Sequence, residues 1–157
     1  MVLRRIFREV EVFDAKIGKH TEFDGVDMGR RMFIENKTAN DLGKINPKTG
    51  KPYNKDTPAS WAAKHIVGKT RERLILLANG TKARPSVGGS PEVPSLAELQ
   101  GIRRYHFRVD ATSLALRNAV NQGLVTLGNE FPGWIFTAEF GADLLLPPIP
   151  GVDGDDH

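Results

Sequence analysis

The chain has no cysteine, which removes disulfides and thiolate metal centres from consideration. That suits a reducing compartment, and it equally suits a domain that is threaded or exported unfolded. No apolar run approaches the ~20 residues needed to span a bilayer, so no membrane-spanning segment is expected. The opening stretch Met1 to Arg8 lacks the apolar core and small-residue cleavage site of a secretory signal. Several catalytic signatures are also missing: there is no G-x-S-x-G, Walker loop, G-x-G-x-x-G or H-E-x-x-H. His20 and His106 stand at no spacing that suggests zinc. Internal repeats are absent.

What is present describes an ordinary globule. A chain of 157 residues with 39% hydrophobic and 26% charged side chains suits one domain that buries roughly two thirds of its extended-chain surface. The net charge is +3 and the sequence pI about 9.3, unevenly spread. Most of the lysine falls between Arg30 and Arg84, while Asp153, Asp155 and Asp156 make the end acidic. The body is therefore more basic than the total, which favours polyanionic partners.

The N-terminal third reads as three short strands joined by tight turns. Phe7, Val10, Val12 and Phe13 mark the first, Thr21 to Met28 the second, and Arg31 to Thr38 the third, with a turn at Gly29-Arg30. "NDLGKINPKTGKPYNKD" is loop chemistry. Asp56 or Thr57 before Pro58 opens a helix that should run to Leu77 or Ala78. On it Ala59, Ala63, Ile66, Leu74 and Leu77 form an apolar face, and Lys64, Gly68 and Arg71 a polar one. "TKARPSVGGSPEVPS" reads as a second loop, followed by a helical turn at Leu96 to Leu99.

Ile102 to Val109 alternates, with Tyr105, Phe107 and Val109 on one side and Arg104, His106 and Arg108 on the other. Asp110 is expected to cap a helix reaching about Leu127, and Trp134 to Phe140 supplies a last strand. The predicted fold is α/β (α+β): a mixed central sheet in the order β-β-β-α-β-α-β with helices packed on it. Residues 1–141 form the single domain, and the Pro-rich acidic tail 142–157 is expected to be disordered.

One segment does not read as simple core. In "TEFDGVDMGRRMFIENKTAN" the third strand ends Glu35-Asn36-Lys37, and Glu22, Asp24 and Asp27 come just before it. Residues i and i+2 of a strand lie about 6–7 Å apart on one face, so Phe33, Glu35 and Lys37 share a side, opposite Met32, Ile34 and Asn36. Positions 24 and 35 are symmetric about 29.5, where the turn falls, so an antiparallel hairpin sets Asp24 across from Glu35. Two carboxylates so placed can share a divalent cation through hard oxygen ligands, as Mg²⁺ or Mn²⁺ prefers. Lys37 then stands ready to orient or deprotonate a water, or to stabilise charge on a phosphate oxygen.

This pattern resembles the PD-(D/E)xK nuclease superfamily, with Asp24 as the first acid and Glu35-Asn36-Lys37 as the (D/E)xK element behind the apolar "MFI". More narrowly, "TEFDGVD…MFIENKTAN" is similar to nuclease domains of bacterial polymorphic and contact-dependent inhibition toxins. The likeness is direct over about residues 20 to 40 and extends by element order alone to about 140. It implies a restriction-endonuclease-like core and Mg²⁺-dependent hydrolysis of DNA or tRNA. It also implies a domain delivered from one bacterium into the cytoplasm of another, and a cognate immunity protein as partner. Asp24 and Glu35 would hold the metal, Lys37 would serve the attacking water, and Glu22 would be a supporting acid. Lys44, Lys48, Lys51 and Lys55 in the loop, with Lys64 and Arg71 on the helix, would contact nucleic acid. That superfamily usually leads with a helix. Here either Val2 to Phe7 forms a short one or the domain was cut from a longer polypeptide.

A second match, Asp14-Ala15-Lys16, lacks an upstream aspartate and completes the site poorly. Other readings stay open at this stage. Glu35 and Lys37 could be an exposed salt bridge at a strand end, and His65 a residue packed on its helix. The whole chain could be a non-catalytic phage or secretion-system structural protein, or a nucleic-acid-binding module without catalysis.

Overall fold

The structure, a computed structural model, describes residues 6–148; the expectations for a helix beginning at Val2 and for the end of the acidic tail lie outside the described residues. The strands are β1 (Ile6–Asp14), β2 (Lys19–Asp27), β3 (Met32–Lys37), β4 (Lys82–Pro85), β5 (Arg104–Val109) and β6 (Ile135–Phe140). The helices are α1 (Pro58–Ala62), α2 (Lys69–Asn79), α3 (Leu96–Gln100) and α4 (Leu114–Glu130), with a π-helical segment, Ala63–Gly68, joining α1 to α2. No helix among the described residues is long and apolar enough to cross a membrane.

All six strands form one mixed sheet in the order β4-β1-β2-β3-β5-β6. β1, β2 and β3 make the expected antiparallel meander. β5 lies parallel to β3, and β6 parallel to β5, as strands separated by helical crossovers do. The α+β architecture with a mixed sheet is therefore as the sequence predicts. Two elements are additions. α3 enlarges the expected helical turn, and β4 pairs with β1 where the sequence reads only as loop. The edge position explains the misreading: β4 is four residues long and ends in Pro85, a residue sheets admit at their margins because it donates no ladder hydrogen bond.

One face of the sheet carries Val10, Val12, Phe23, Val26, Phe33, Tyr105, Phe107 and Val109 into a core closed by Trp61, Ile66, Leu74 and Leu77 of the long helix and Leu116, Val120 and Leu127 of α4. Aromatic rings knit it together, with Phe23 stacked on Phe33 at 4.2 Å between centroids and Tyr105 beside Phe107 at 5.0 Å.

The long helix starts where the sequence predicts. Thr57 accepts from the Ser60 amide while Ser60 reaches back to the Thr57 amide, a closed capping box ahead of Pro58. Its faces differ from the expectation. The buried positions run Ala62, Ile66, Thr70, Leu74, in steps of four rather than a mix of three and four, and Ala63 is exposed. The wider π turn rotates the downstream half relative to a regular helix, so the predicted polar face of Lys64, Gly68 and Arg71 is not the one turned toward the sheet.

α4 begins three residues later than predicted. Ser113, not Asp110, caps it by accepting from the Leu116 amide. The Asp110 carboxylate instead accepts the Ala39 amide at 2.7 Å, tying the end of β5 to the chain leaving β3. The first part of the supposed tail is also engaged: Arg108 donates to the carbonyls of Leu146 (3.1 Å) and Asp143 (3.1 Å), strapping 143–148 across the outer face of the sheet.

Candidate functional site

The register of the β2–β3 hairpin matches the sequence arithmetic. Gly25 pairs with Ile34, Val26 with Phe33 and Asp27 with Met32, so the next rung would join Asp24 to Glu35. That rung does not form. The Asp24 carboxylate takes the place of a backbone partner, with Oδ2 accepting the Asn36 amide at 2.8 Å. On the other side the β1–β2 ladder also skips this level, passing from Arg8–Gly25 to Val10–Phe23.

The cause is local. Glu9 has a left-handed backbone, φ 52°, uncommon for a residue with a side chain. Phe7 and Val10, three residues apart, both pack against the core, which strict alternation forbids. β2 does the same with Phe23 and Val26. Each strand therefore carries an irregularity at this level, a feature that recurs beside active sites because it re-aims a side chain. The loop behind it fits tightly: a Cβ on Gly89 would meet the Arg8 carbonyl oxygen at 2.7 Å.

Asp24 thus stands where β2 and β3 part. It lines an outer-face cleft with Gly25, Ile34, Asn36 and the strap at Leu144–Pro148, while its charge acts through the opening on Glu35, Lys37 and Arg73. Glu35 is on the helix side of β3, only 1% exposed, and is not the exposed salt bridge that a strand end could have carried. Its Oε1 has no hydrogen-bond partner. The nearest cation is Arg73 of α2, whose Nε lies 3.7 Å from Oε1, too far and too poorly aligned for a hydrogen bond. Burial, and then the Asp24 carboxylate, push the Glu35 carboxyl up to about 7. The Tyr105 hydroxyl is close enough to act on Glu35 electrostatically, yet it too is buried without a well-formed hydrogen bond.

Lys37, two residues on and 7% exposed, has no ion-pair partner among the described residues. Burial brings its amine down to about 8 against the pull of Glu35, and Arg73 and Lys69 lower it further. Asp24, Glu35 and Lys37 are therefore brought together, as the sequence pattern anticipates, with Glu35 and Lys37 enclosed and Asp24 at the opening.

Glu22 is not part of this group. It is exposed on β2, opposite Glu11 of β1, and accepts the Ser86 hydroxyl at 2.8 Å. The bulge separates its environment from that of Asp24, which sequence alternation alone cannot show. Asp27 is a turn residue, accepting the Arg30 amide. The alternative Asp14-Ala15-Lys16 is likewise a turn, with Asp14 Oδ1 taken by the Lys16 amide.

Lys44, Lys48, Lys51 and Lys55 are all exposed on the loop that leaves β3 just past Lys37. Lys64 pairs with Asp56 at 2.8 Å, and His65 packs on Trp61, as expected of it. Arg71 is a correction: both its Nε and Nη2 are bound by Glu130. At 100° per residue it points about 200° away from Arg73, so it faces α4 rather than the carboxylates.

The sequence reading missed three residues, Lys69, Arg73 and Tyr105. Lys69 and Arg73 share a helix face at spacing i, i+4 with His65 one turn before, and the charges of Lys37 and Lys69 both reach His65. That cationic row was legible as a spacing, but the π segment hid which side of the helix met the sheet. Tyr105 reads from sequence only as a core aromatic.

No group of three or more His, Asp or Glu side chains that could hold a metal ion occurs among the described residues. The pair Asp24–Glu35 still fits a hard divalent cation. Two carboxylates raise each other's cost of ionisation, one buried oxygen lacks any donor, and Mg²⁺ commonly binds through one or two carboxylates with water and substrate oxygens filling the rest. No family model matches this chain, and neither does any curated protein or solved structure.

Proposed function

We propose that the chain is a metal-dependent nuclease of the PD-(D/E)xK type, with a restriction-endonuclease-like core, hydrolysing phosphodiester bonds of nucleic acid. The observation that carries the reading is the buried Glu35 carboxylate, held up to about 7 with an unpartnered oxygen, beside Asp24 and an amine lowered to about 8. A fold gains no stability from enclosing such a group, and perturbed titrations of paired groups concentrate where chemistry is done. Meander topology with a parallel neighbour to β3 agrees with the sequence likeness.

Asp24 and Glu35 would hold Mg²⁺ or Mn²⁺, which when bound supplies a Lewis acid for phosphate and water oxygens. Lys37, about half neutral near pH 8, takes a proton from the attacking water or, as the ammonium, stabilises a non-bridging phosphate oxygen. The water oxygen forms a new bond to phosphorus as the bond to the leaving sugar oxygen breaks, and the proton passes to that oxygen. Lys44, Lys48, Lys51 and Lys55 supply sequence-independent backbone contacts beyond the carboxylates.

The same sequence likeness carries a biological setting: an effector delivered into a target cell's cytoplasm and neutralised by a cognate immunity protein. DNA is the first substrate to test and tRNA the second. The decisive experiment incubates the protein with plasmid and with total tRNA, in Mg²⁺ and in chelator, beside Asp24→Ala and Lys37→Ala. Cutting that needs the metal and disappears in both variants supports the proposal. Salt-sensitive binding without cutting would leave a nucleic-acid-binding module, and neither cutting nor binding would leave a structural role.

A further inference from the structure

Arg73 also forms the inner end of a second feature. Between the β1–β2 turn and α2 runs a cleft of about 790 Å³, lined among others by Ile17, Lys19, His20, Lys69, Arg73 and Ile75, a size that encloses a small ligand or a short length of chain. Nε and Nη1 of Arg73 are buried and have no hydrogen-bond partner, although a guanidinium presents five N–H donors. The Glu35 carboxylate, its nearest acid, is engaged only at 3.7 Å.

One turn before, Lys69 is exposed and makes no ion pair, and at the mouth Lys19 is equally free. His20 is within 3.4 Å of Glu11. Two acids also line the cleft. Asp14 is occupied by the Lys16 amide, and Glu72 stands on the helix. The cations Lys19, Lys69 and Arg73 thus line a passage toward the carboxylates with donors to spare, which is the environment of a missing anion.

The walls are apolar. Ile17 is 60% and Ile75 52% exposed, large side chains flanking the cleft rather than filling the core. Duplex bases are hidden in their stack, whereas an unpaired base offers a flat face to such walls.

We propose that this cleft binds a single-stranded stretch of nucleic acid, with Lys19 and Lys69 along its backbone, Arg73 on the phosphate next to the carboxylates, and Ile17 and Ile75 flanking an unpaired base. The placement of the cut beside Arg73 rests on the nuclease reading; the binding itself does not.

The test uses fluorescence anisotropy of a labelled single strand of about twelve nucleotides, within the range such grooves occupy, in chelator so that no cutting intervenes. Lys19→Glu, Ile17→Asp, Lys69→Glu and Arg73→Met are compared with Arg117→Glu, a charge reversal on exposed α4. The expected result is about tenfold weaker binding for each cleft variant, about twofold or less for Arg117→Glu, and poor competition by unlabelled duplex. Lys19 and Ile17 lie on an exposed turn, so those variants remain informative if Arg73→Met unfolds. Wild-type affinity in Lys19→Glu and Ile17→Asp, or a duplex that competes as well as a strand, overturns the proposal. If the cleft variants bind normally while Asp24→Ala abolishes cutting, the channel is wrong and the nuclease stands. If the cleft variants lose binding and nothing is ever cut, the reverse holds.

Discussion

Glu35→Gln offers a quantitative check on the enclosed carboxylate. Burial and Asp24 raise the folded-state value to about 7 from an ordinary 4.5. An acid whose folded value exceeds its free value binds its proton more tightly when folded. Its contribution to stability is therefore complete below about pH 4.5 and is lost as the pH climbs through about 7. At 1.36 kcal/mol for each tenfold change in proton affinity, that gap amounts to about 3 kcal/mol. With Glu35 only 1% exposed, solvent screening takes little from that figure.

Glutamine has nearly the shape of protonated glutamate and no charge to desolvate. The variant should therefore match the wild type near pH 4.5 and exceed it by about 3 kcal/mol at pH 8, or about 6–12 °C in Tm for a domain of this size. Urea melts of both proteins at half-unit steps from pH 4.5 to 8.5 would measure the difference directly, since all other titrating groups cancel in the subtraction. Curves that run parallel across the range, or a variant less stable at pH 8, would refute the account of Glu35 as a group held charged against its environment.

Divalent metal should reverse the order: at a hundredfold excess over its Kd, Mg²⁺ should stabilise the wild type by about 2.7 kcal/mol and leave Glu35→Gln unmoved, read as Tm in melts with and without chelator. Cutting by the wild type should rise as the pH passes about 7, where Glu35 ionises, and Lys37→Met should abolish it across the profile rather than shift it; full activity at pH 5.5 would contradict the Glu35 assignment. Ser113→Ala should cost about 1 kcal/mol through loss of the α4 cap, and Asp110→Ala about 1–3 kcal/mol by leaving the Ala39 amide unpaired; denaturant midpoints at constant slope would measure both, and a neutral Asp110→Ala would return the capping role to another residue.

Much of the scaffold was readable before any coordinates. Apolar alternation in 102–109, the Thr57-Pro58 start and the turn at Gly29-Arg30 are local signals, each set by backbone chemistry within a few residues. The facing of positions 24 and 35 followed from the same turn by counting. β4 escaped because its pairing with β1 depends on a partner some seventy residues away, not on its own four residues. Asp110 and Ser113 are both good caps by composition, and the contact with Ala39 decided between them.

By itself the sequence determined the meander, the mixed α+β class and the gathering of Asp24, Glu35 and Lys37, because strand period and hairpin symmetry are properties of neighbouring residues. Tertiary structure alone decided how deeply Glu35 is enclosed, that Glu22 stands apart, that Arg71 serves α4 while Lys69 and Arg73 turn to the sheet, and that β2 and β3 part at Asp24. Burial, and the titration shifts it causes, are sums over everything packed around a group. Bulges and π turns, which reset the phase of all that follows, are settled by that packing rather than by the residues at the irregularity.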